Sequence, residues 1–203
     1  EDLVLTETGL IAADADILEI FSFDFIAGDP SSAMKDAFSL MLTRSAATRY
    51  FGEEDPIGQH LSLENTINWT VTAIVEDPPA QTHMPYTMVA NIESLRPLES
   101  SLFDSWNNLG PNFYFKLLPY ADKNAILSSI ENIVGQAQSS TTEAIFRFQP
   151  LRHIRLGSAN IEWEISQVGN LGSVLIFGIS ALAILALACF NFISLSLALA
   201  IRR

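Results

Sequence analysis

The C-terminal run GSVLIFGISALAILALACFNFISLSLALAIRR, Gly172 to Arg203, constrains this chain more than any other feature. Glu164 is the last charge before it and Arg202 is the next, so residues 165 to 201 are 37 consecutive uncharged positions. Leu171 to Phe190 alone is 20 residues. As a helix it rises about 30 Å, the thickness of the hydrocarbon core of a bilayer. It has no proline, and Gly172 and Gly178 are tolerated in lipid, where nothing competes for the backbone hydrogen bonds. A helix buried in a soluble core would still carry a polar stripe, and none appears. In a secretory signal the positive charge precedes the apolar region, whereas here Arg202 and Arg203 follow it. The expectation is a transmembrane helix.

Flanking charge sets its expected direction. Glu162 and Glu164 precede the span, with Trp163 between them as an interfacial anchor. Lys and Arg favour the cytoplasmic side, so Arg202 and Arg203 place the C-terminal end there and residues 1 to about 165 outside. The lone Cys189 lies in the span, so the outer part has no disulfide. A net charge of −12 repels phosphate backbones and argues against a nucleic-acid partner. The chain opens at Glu1 without a methionine and stops at Arg203, which reads as a piece of a longer protein.

Before the span, no repeat and no Gly/Ser linker divides the chain. "LIAADADILEIFSFDFIAGDP" reads as a short strand, a helix from about Asp16, and an extended piece ending at the turn Gly28-Asp29-Pro30. Phe21, Phe23 and Phe25 alternate as in a half-buried strand. Phe38 to Thr43 is a strand, Thr43 an N-cap for "RSAATRYF", and Gly52 its stop. Leu61 to Glu64 and Trp69 to Val75 form a hairpin turning near Asn65 to Asn68. Tyr86 to Leu95 has an ambiguous period. Asn112 to Leu151 reads as a β-α-β unit whose helix carries Ala125, Ile126, Ser129, Ile130, Ile133 and Val134 on one face. The fold class is α+β: an extracytoplasmic subdomain over 1–95, a β-α-β subdomain over 96–165, and the transmembrane helix over 166–203.

No catalytic, cofactor-binding or metal residue is expected. His60, His83 and His153 lack ligand spacing, and Cys189 has no histidine partner outside lipid. There is no nucleophile elbow and no phosphate loop, so the chain does not itself hydrolyse ATP. The acidic groups Glu53-Glu54-Asp55 and Glu76-Asp77 sit beside prolines and read as solvated turns. Asn191, Ser194 and Ser196 are polar groups of the kind that bond to neighbouring membrane helices.

"LMLTRSAATRYFGEEDPIGQHLSL…WTVTAIVEDPPAQTH" resembles the extracytoplasmic domain of MacB/FtsX-type ABC transporter permeases. The matching features are Thr43 at a strand end, Phe51-Gly52 closing a helix, Asp55-Pro56-Ile57-Gly58, and the strand Val71 to Val75. "FIAGDP" resembles the family's turn, and "ALACFNFISLSLALAIRR" the start of its permease domain. The resemblance implies an outer domain between the first and second of four membrane helices. It also implies a cell-membrane protein that binds lipid, a second permease copy, and a separate cytoplasmic ABC ATPase. The outer domain would act as a lever on an extracytoplasmic substrate or partner protein. Pro56 and Gly58 make the motif a rigid corner and a mark of the fold. The competing reading is a membrane-anchored sensor whose outer domain binds a ligand.

Overall fold

A computed structural model describes residues 6–63, 66–104, 112–137, 146–158 and 169–201. The chain divides into two compact units, Glu1–Phe148 and Gln149–Arg203.

The first unit is built on a mixed six-stranded sheet. Its elements in order are β1 (Leu10–Ala13), α1 (Ile17–Ile20), β2 (Phe25–Gly28), β3 (Ser39–Thr43), α2 (Arg44–Phe51), β4 (His60–Leu63), β5 (Ile67–Val75), β6 (Met88–Asn91), a 3-10 turn (Ile92–Leu95), α3 (Ser101–Asp104) and α4 (Lys123–Ala137). The sheet order is β1-β6-β3-β5-β2, with β4 also paired to β5. β5 is long enough to serve three neighbours. β3 lies along one edge in parallel, while β4 and β2 share the other edge, β4 against its first half and β2 against its second.

The most buried strands are central. All five residues of β3 and all four of β6 are buried. This explains why "MVAN" shows no period: a strand covered on both faces has no polar alternation to display. One face of the sheet packs Leu40, Leu42, Val71, Ile74, Met88 and Ala90 with Ala46 and Ala47 of α2. On the other, Met41, Ala73, Val75 and Val89 are fully buried. The loop after β2 closes over the sheet, where Thr72 Oγ1 donates to Ala33 O at 2.6 Å and Asn91 Nδ2 to Met34 O at 2.9 Å. Trp69 is buried, and its Nε1–H finds Ser94 Oγ at 2.8 Å, as a buried indole requires.

The expected mixed α+β architecture is present, as are β1, α1, β3, the capped α2 and the β4–β5 hairpin. Three details differ. β5 begins at Ile67 rather than Trp69, because Ile67 is buried and adds a rung opposite Leu63. Of the alternating phenylalanines only Phe25 lies in a ladder; Phe21 is the extended C-cap of α1. The third concerns Asn112 to Leu151. Helix α4 forms there, but the described flanks, 112–118 and 146–150, pair with no strand. A two-stranded parallel pair covers too little apolar surface to hold itself together, and among the described residues no third strand lies beside these flanks. The flanks meet instead through the rings of Phe115 and Phe148, 5.8 Å apart and edge to face. A parallel strand-helix-strand connection does exist, but it runs from β3 through α2 to β5, with β4 inserted. Within α4, Ile126, Ile130 and Val134 are half-buried, while Ala125, Ser129 and Ile133 are exposed, so its apolar face is narrower than its composition.

In the second unit, a 3-10 turn (Leu151–His153) leads into α5 (Ile154–Gly157), and α6 (Leu171–Ile201) follows.

Candidate functional site

The motif from Thr43 to Gly58 folds as a corner. Thr43 ends β3 and caps α2, its Oγ1 accepting the Ala46 N–H at 3.3 Å. The next two residues clamp the start of α2 to the end of β5. Arg44 Nε donates to Glu76 Oε2 at 3.1 Å and its Nη2 donates to Glu76 Oε1, a bidentate pair. Ser45 Oγ donates to Asp77 Oδ2 at 2.8 Å. Arg44's hydrogen bond holds the Glu76 carboxyl below its ordinary range, and Glu76 in turn raises the guanidinium. α2 stops at Gly52, where φ is +60°. Asp55 Oδ1 then accepts the Ile57 N–H at 3.0 Å, and Gly58, at φ +81°, donates its N–H to Val71 O at 2.8 Å. Thr43, Arg44, Ser45 and Asp55 thus each fasten part of the corner.

A shallow apolar recess of about 240 Å³ lies beside the corner, lined chiefly by Ile26, Ala27, Ala47, Pro56 and Ile74. Arg44 and Glu54 also border it. Arg44 is engaged by Glu76, so no acid–base pair faces this recess.

The residues that could have carried chemistry lie apart. His60 is exposed, its Nδ1 3.2 Å from Thr70 Oγ1. His83 sits in a ring cluster with Phe21 and Tyr114. His153 is exposed and precedes α5. Glu53, Glu54 and Asp55 are exposed, and Glu76 and Asp77 are tied to Arg44 and Ser45. Among the described residues no group of three His, Cys, Asp or Glu could hold a metal.

The second feature is α6. It runs 31 residues without a charge, and none of its described side chains is buried. Phe177, Leu182, Ile184 and Phe192 are each about seven-tenths exposed. Side chains like these around the full circumference require an apolar solvent. At 1.5 Å per residue the helix is about 46 Å long, longer than the hydrocarbon core by some 16 Å. Asn170 starts it, its Oδ1 accepting the Gly172 N–H at 2.7 Å. Ser180 Oγ donates back to Ile176 O at 2.8 Å. With about 100° between successive residues, Ser173, Ser180, Asn191 and Ser194 fall within about 60° of one another, while Ser196 lies on another face. Of the expected polar residues Asn191, Ser194 and Ser196, the first two share this face with Ser173 and Ser180. The flanking Glu162, Trp163, Glu164, Arg202 and Arg203 lie outside the described residues.

Residues 2–133 match the family model described as the MacB-like periplasmic core domain. No curated protein matches. A solved domain of a protein designated a permease in Porphyromonas gingivalis is similar in structure, with a TM-score of 0.53 and 21% identity over 76% of this chain and 72% of that one. The periplasmic region of MacB from Actinobacillus actinomycetemcomitans matches with a TM-score of 0.40 and 11% identity, covering 63% of this chain and 55% of that one. The extracellular domain of the ABC-type transporter YknZ from Gram-positive bacteria matches with a TM-score of 0.35 and 12% identity, covering 43% and 45%.

Proposed function

The chain belongs to the family of MacB-like periplasmic core domains, and from that premise we propose that it is the outer domain and following membrane helix of an ABC transporter permease. The carrying observation is the coexistence, in one chain, of this core domain and a 31-residue apolar helix exposed on all sides. α6 is then the second membrane helix, running from outside to cytoplasm, with residues 1 to about 165 outside the inner membrane. The working form contains two permease copies and a separate cytoplasmic ATPase. ATP-driven closure of the ATPase moves the membrane helices, and the outer domain carries that motion to an extracytoplasmic substrate or partner. The division of the outer domain into 1–95 and 96–165 is part of this proposal.

The corner and the polar face of α6 support a mechanical role. Thr43, Arg44, Asp55 and Gly58 fix the angle between a helix and a sheet, which suits a part that must move without bending. Ser173, Ser180, Asn191 and Ser194 give α6 a face for hydrogen bonds to other membrane helices. A single-pass sensor could use that face only against its own copy. The test is to isolate tagged full-length protein from its native membrane in mild detergent and identify what accompanies it. A protein with a Walker-type phosphate loop, in about equal amount, is the expected result. Its absence from repeated preparations overturns the permease reading and leaves the sensor.

A further inference from the structure

The foot of α6 carries a small, tied turn. Leu151–His153 and α5 follow one another as successive helical turns. Gln149 braces them, its Nε2 donating to Ser158 Oγ at 3.0 Å, and Ser158 is fully buried. Gly157 passes so close that a Cβ there would lie 3.2 Å from the same Nε2. Backbone joins the turn to the apolar helix: Gly169 donates its N–H to Arg155 O at 2.7 Å, two residues before α6 begins at Leu171.

The start of α6 fixes the depth of this turn. Leu171, Val174, Leu175, Ile176 and Phe177 are between 50% and 74% exposed. Apolar side chains around the first two turns of a helix need lipid, so the hydrocarbon boundary falls near Leu171. The surplus length of α6 falls at its other end, where Asn191, Ser194 and Ser196 are polar. A turn bonded to Gly169 then lies in the headgroup layer, which is about 5–8 Å thick on each side of the hydrocarbon.

The chemistry of the turn suits that layer. In a chain of net charge −12, the stretch from Ala144 to Ile161 holds Arg147, Arg152, His153 and Arg155 and no acidic residue. Leu151, Arg152 and His153 are exposed. Arg152 stands three residues from the Arg155 attachment, about 5–6 Å away in a helical turn. An arginine there can extend its guanidinium along the interface and offer a phosphate two parallel N–H donors.

We propose that the turn Leu151–Gly157 is an interfacial anchor on the leaflet at the N-terminal end of α6, with Arg152 donating to a phospholipid headgroup phosphate. Anchors of this kind set the depth and tilt of a membrane helix. The proposal rests on α6 crossing the membrane and not on which proteins accompany it.

The experiment uses full-length protein in nanodiscs, with Cys189→Ser and a fluorophore at Leu151→Cys or Val174→Cys. Iodide quenching reads access to water, and a lipid with a nitroxide near its headgroup reads contact with the bilayer surface. Val174 should be shielded from iodide, and Leu151 should be quenched strongly by the nitroxide lipid. A Val174 label open to iodide overturns the membrane reading of α6 and the anchor with it. A shielded Val174 beside a Leu151 label as open to iodide as one at Gln59→Cys overturns the anchor alone. The lipid partner is tested by placing the nitroxide on phosphatidylglycerol or on phosphatidylcholine at equal mole fractions. Phosphatidylglycerol should quench the Leu151 label about twofold more; Arg152→Gln should remove that preference and Arg152→Lys, which keeps the charge, should retain it. A preference unchanged in Arg152→Gln, or lost equally in Arg152→Lys, overturns Arg152 as the phosphate donor.

Discussion

Gly28 and Gly58 meet the same edge of β5 two residues apart. Gly28 pairs with Ala73, and Gly58 donates its N–H to Val71 O at 2.8 Å. Both have positive φ, +87° and +81°. Their surroundings differ. A Cβ on Gly28 would lie 2.4 Å from Thr72 O and 2.8 Å from Ala73 Cα, whereas one on Gly58 would meet nothing within 4 Å. Gly58 is required by backbone conformation alone, and Gly28 by conformation and close approach together.

Gly58→Val is therefore expected to destabilise the outer domain by about 1–3 kcal/mol. Gly28→Ala, though a smaller substitution, should be worse by about 1–3 kcal/mol, because backbone must move to admit the methyl. Urea midpoints of the two variants give the order. Gly58→Val proving the more damaging would contradict the assignment.

Ser94 holds a buried network together, accepting from Trp69 Nε1 and donating to Asn91 O at 2.7 Å. Ser94→Ala strands the indole N–H and should reduce stability by about 1–3 kcal/mol. Adding Trp69→Phe removes the stranded donor, so the double variant should lose less than the sum of the singles. Strict additivity in thermal or urea denaturation would show that the bond does not matter.

The strand–cap–helix–stop run from Ser39 to Gly52 was legible because each signal is local: Thr43 accepts from a donor three residues on, and Gly52 alone can take its φ. β6 was illegible for the opposite reason: it lies between β1 and β3 in the sheet and all four of its residues are buried, so no polar alternation marks it. The flanks of α4 look like strands, but strand pairing is decided by what lies alongside, which no local pattern records. At the site, the acidic pair Glu76-Asp77 reads from sequence as a solvated turn; its partners, Arg44 and Ser45, lie 32 residues away in sequence, and the parallel pairing of β3 with β5 brings them together.

The Arg44–Glu76 pair predicts an acid-side effect. The carboxyl is depressed below 4.5 in the folded protein by Arg44's hydrogen bond. Its contribution is present above that value and is lost as pH falls through the lower, folded pKa. Arg44→Gln should narrow the difference in melting temperature between about pH 7 and about pH 3, with the shortfall on the neutral side. The effect should be small and fade in high salt, because the pair is exposed. An unchanged difference would mean that solvent already screens the pair.

Orientation can be read by labelling. Tyr120 is 98% exposed, so Tyr120→Cys in a Cys189→Ser background should react with an impermeant thiol reagent in intact cells or spheroplasts. Labelling only after lysis would place the domain in the cytoplasm.

Asn191 shares a face of α6 with Ser180 and Ser194, and an interhelical bond there is worth about 1 kcal/mol. Asn191→Leu should still insert, since leucine favours lipid. It should leave ATP hydrolysis in place while reducing the movement of the outer domain that hydrolysis drives. Movement equal to that of the native protein would make Asn191 a passive residue.

That movement is the most direct measure of the whole account. Full-length permease with its ATPase, reconstituted in nanodiscs, would carry a single spin label at Gln59→Cys, with Cys189→Ser, on each of the two copies. The distance between the labels is compared without nucleotide and with ATP, magnesium and vanadate. The account predicts a shift of the distance distribution between the two states, abolished when the ATPase cannot bind nucleotide. Superimposable distributions, in a preparation that hydrolyses ATP, would contradict it.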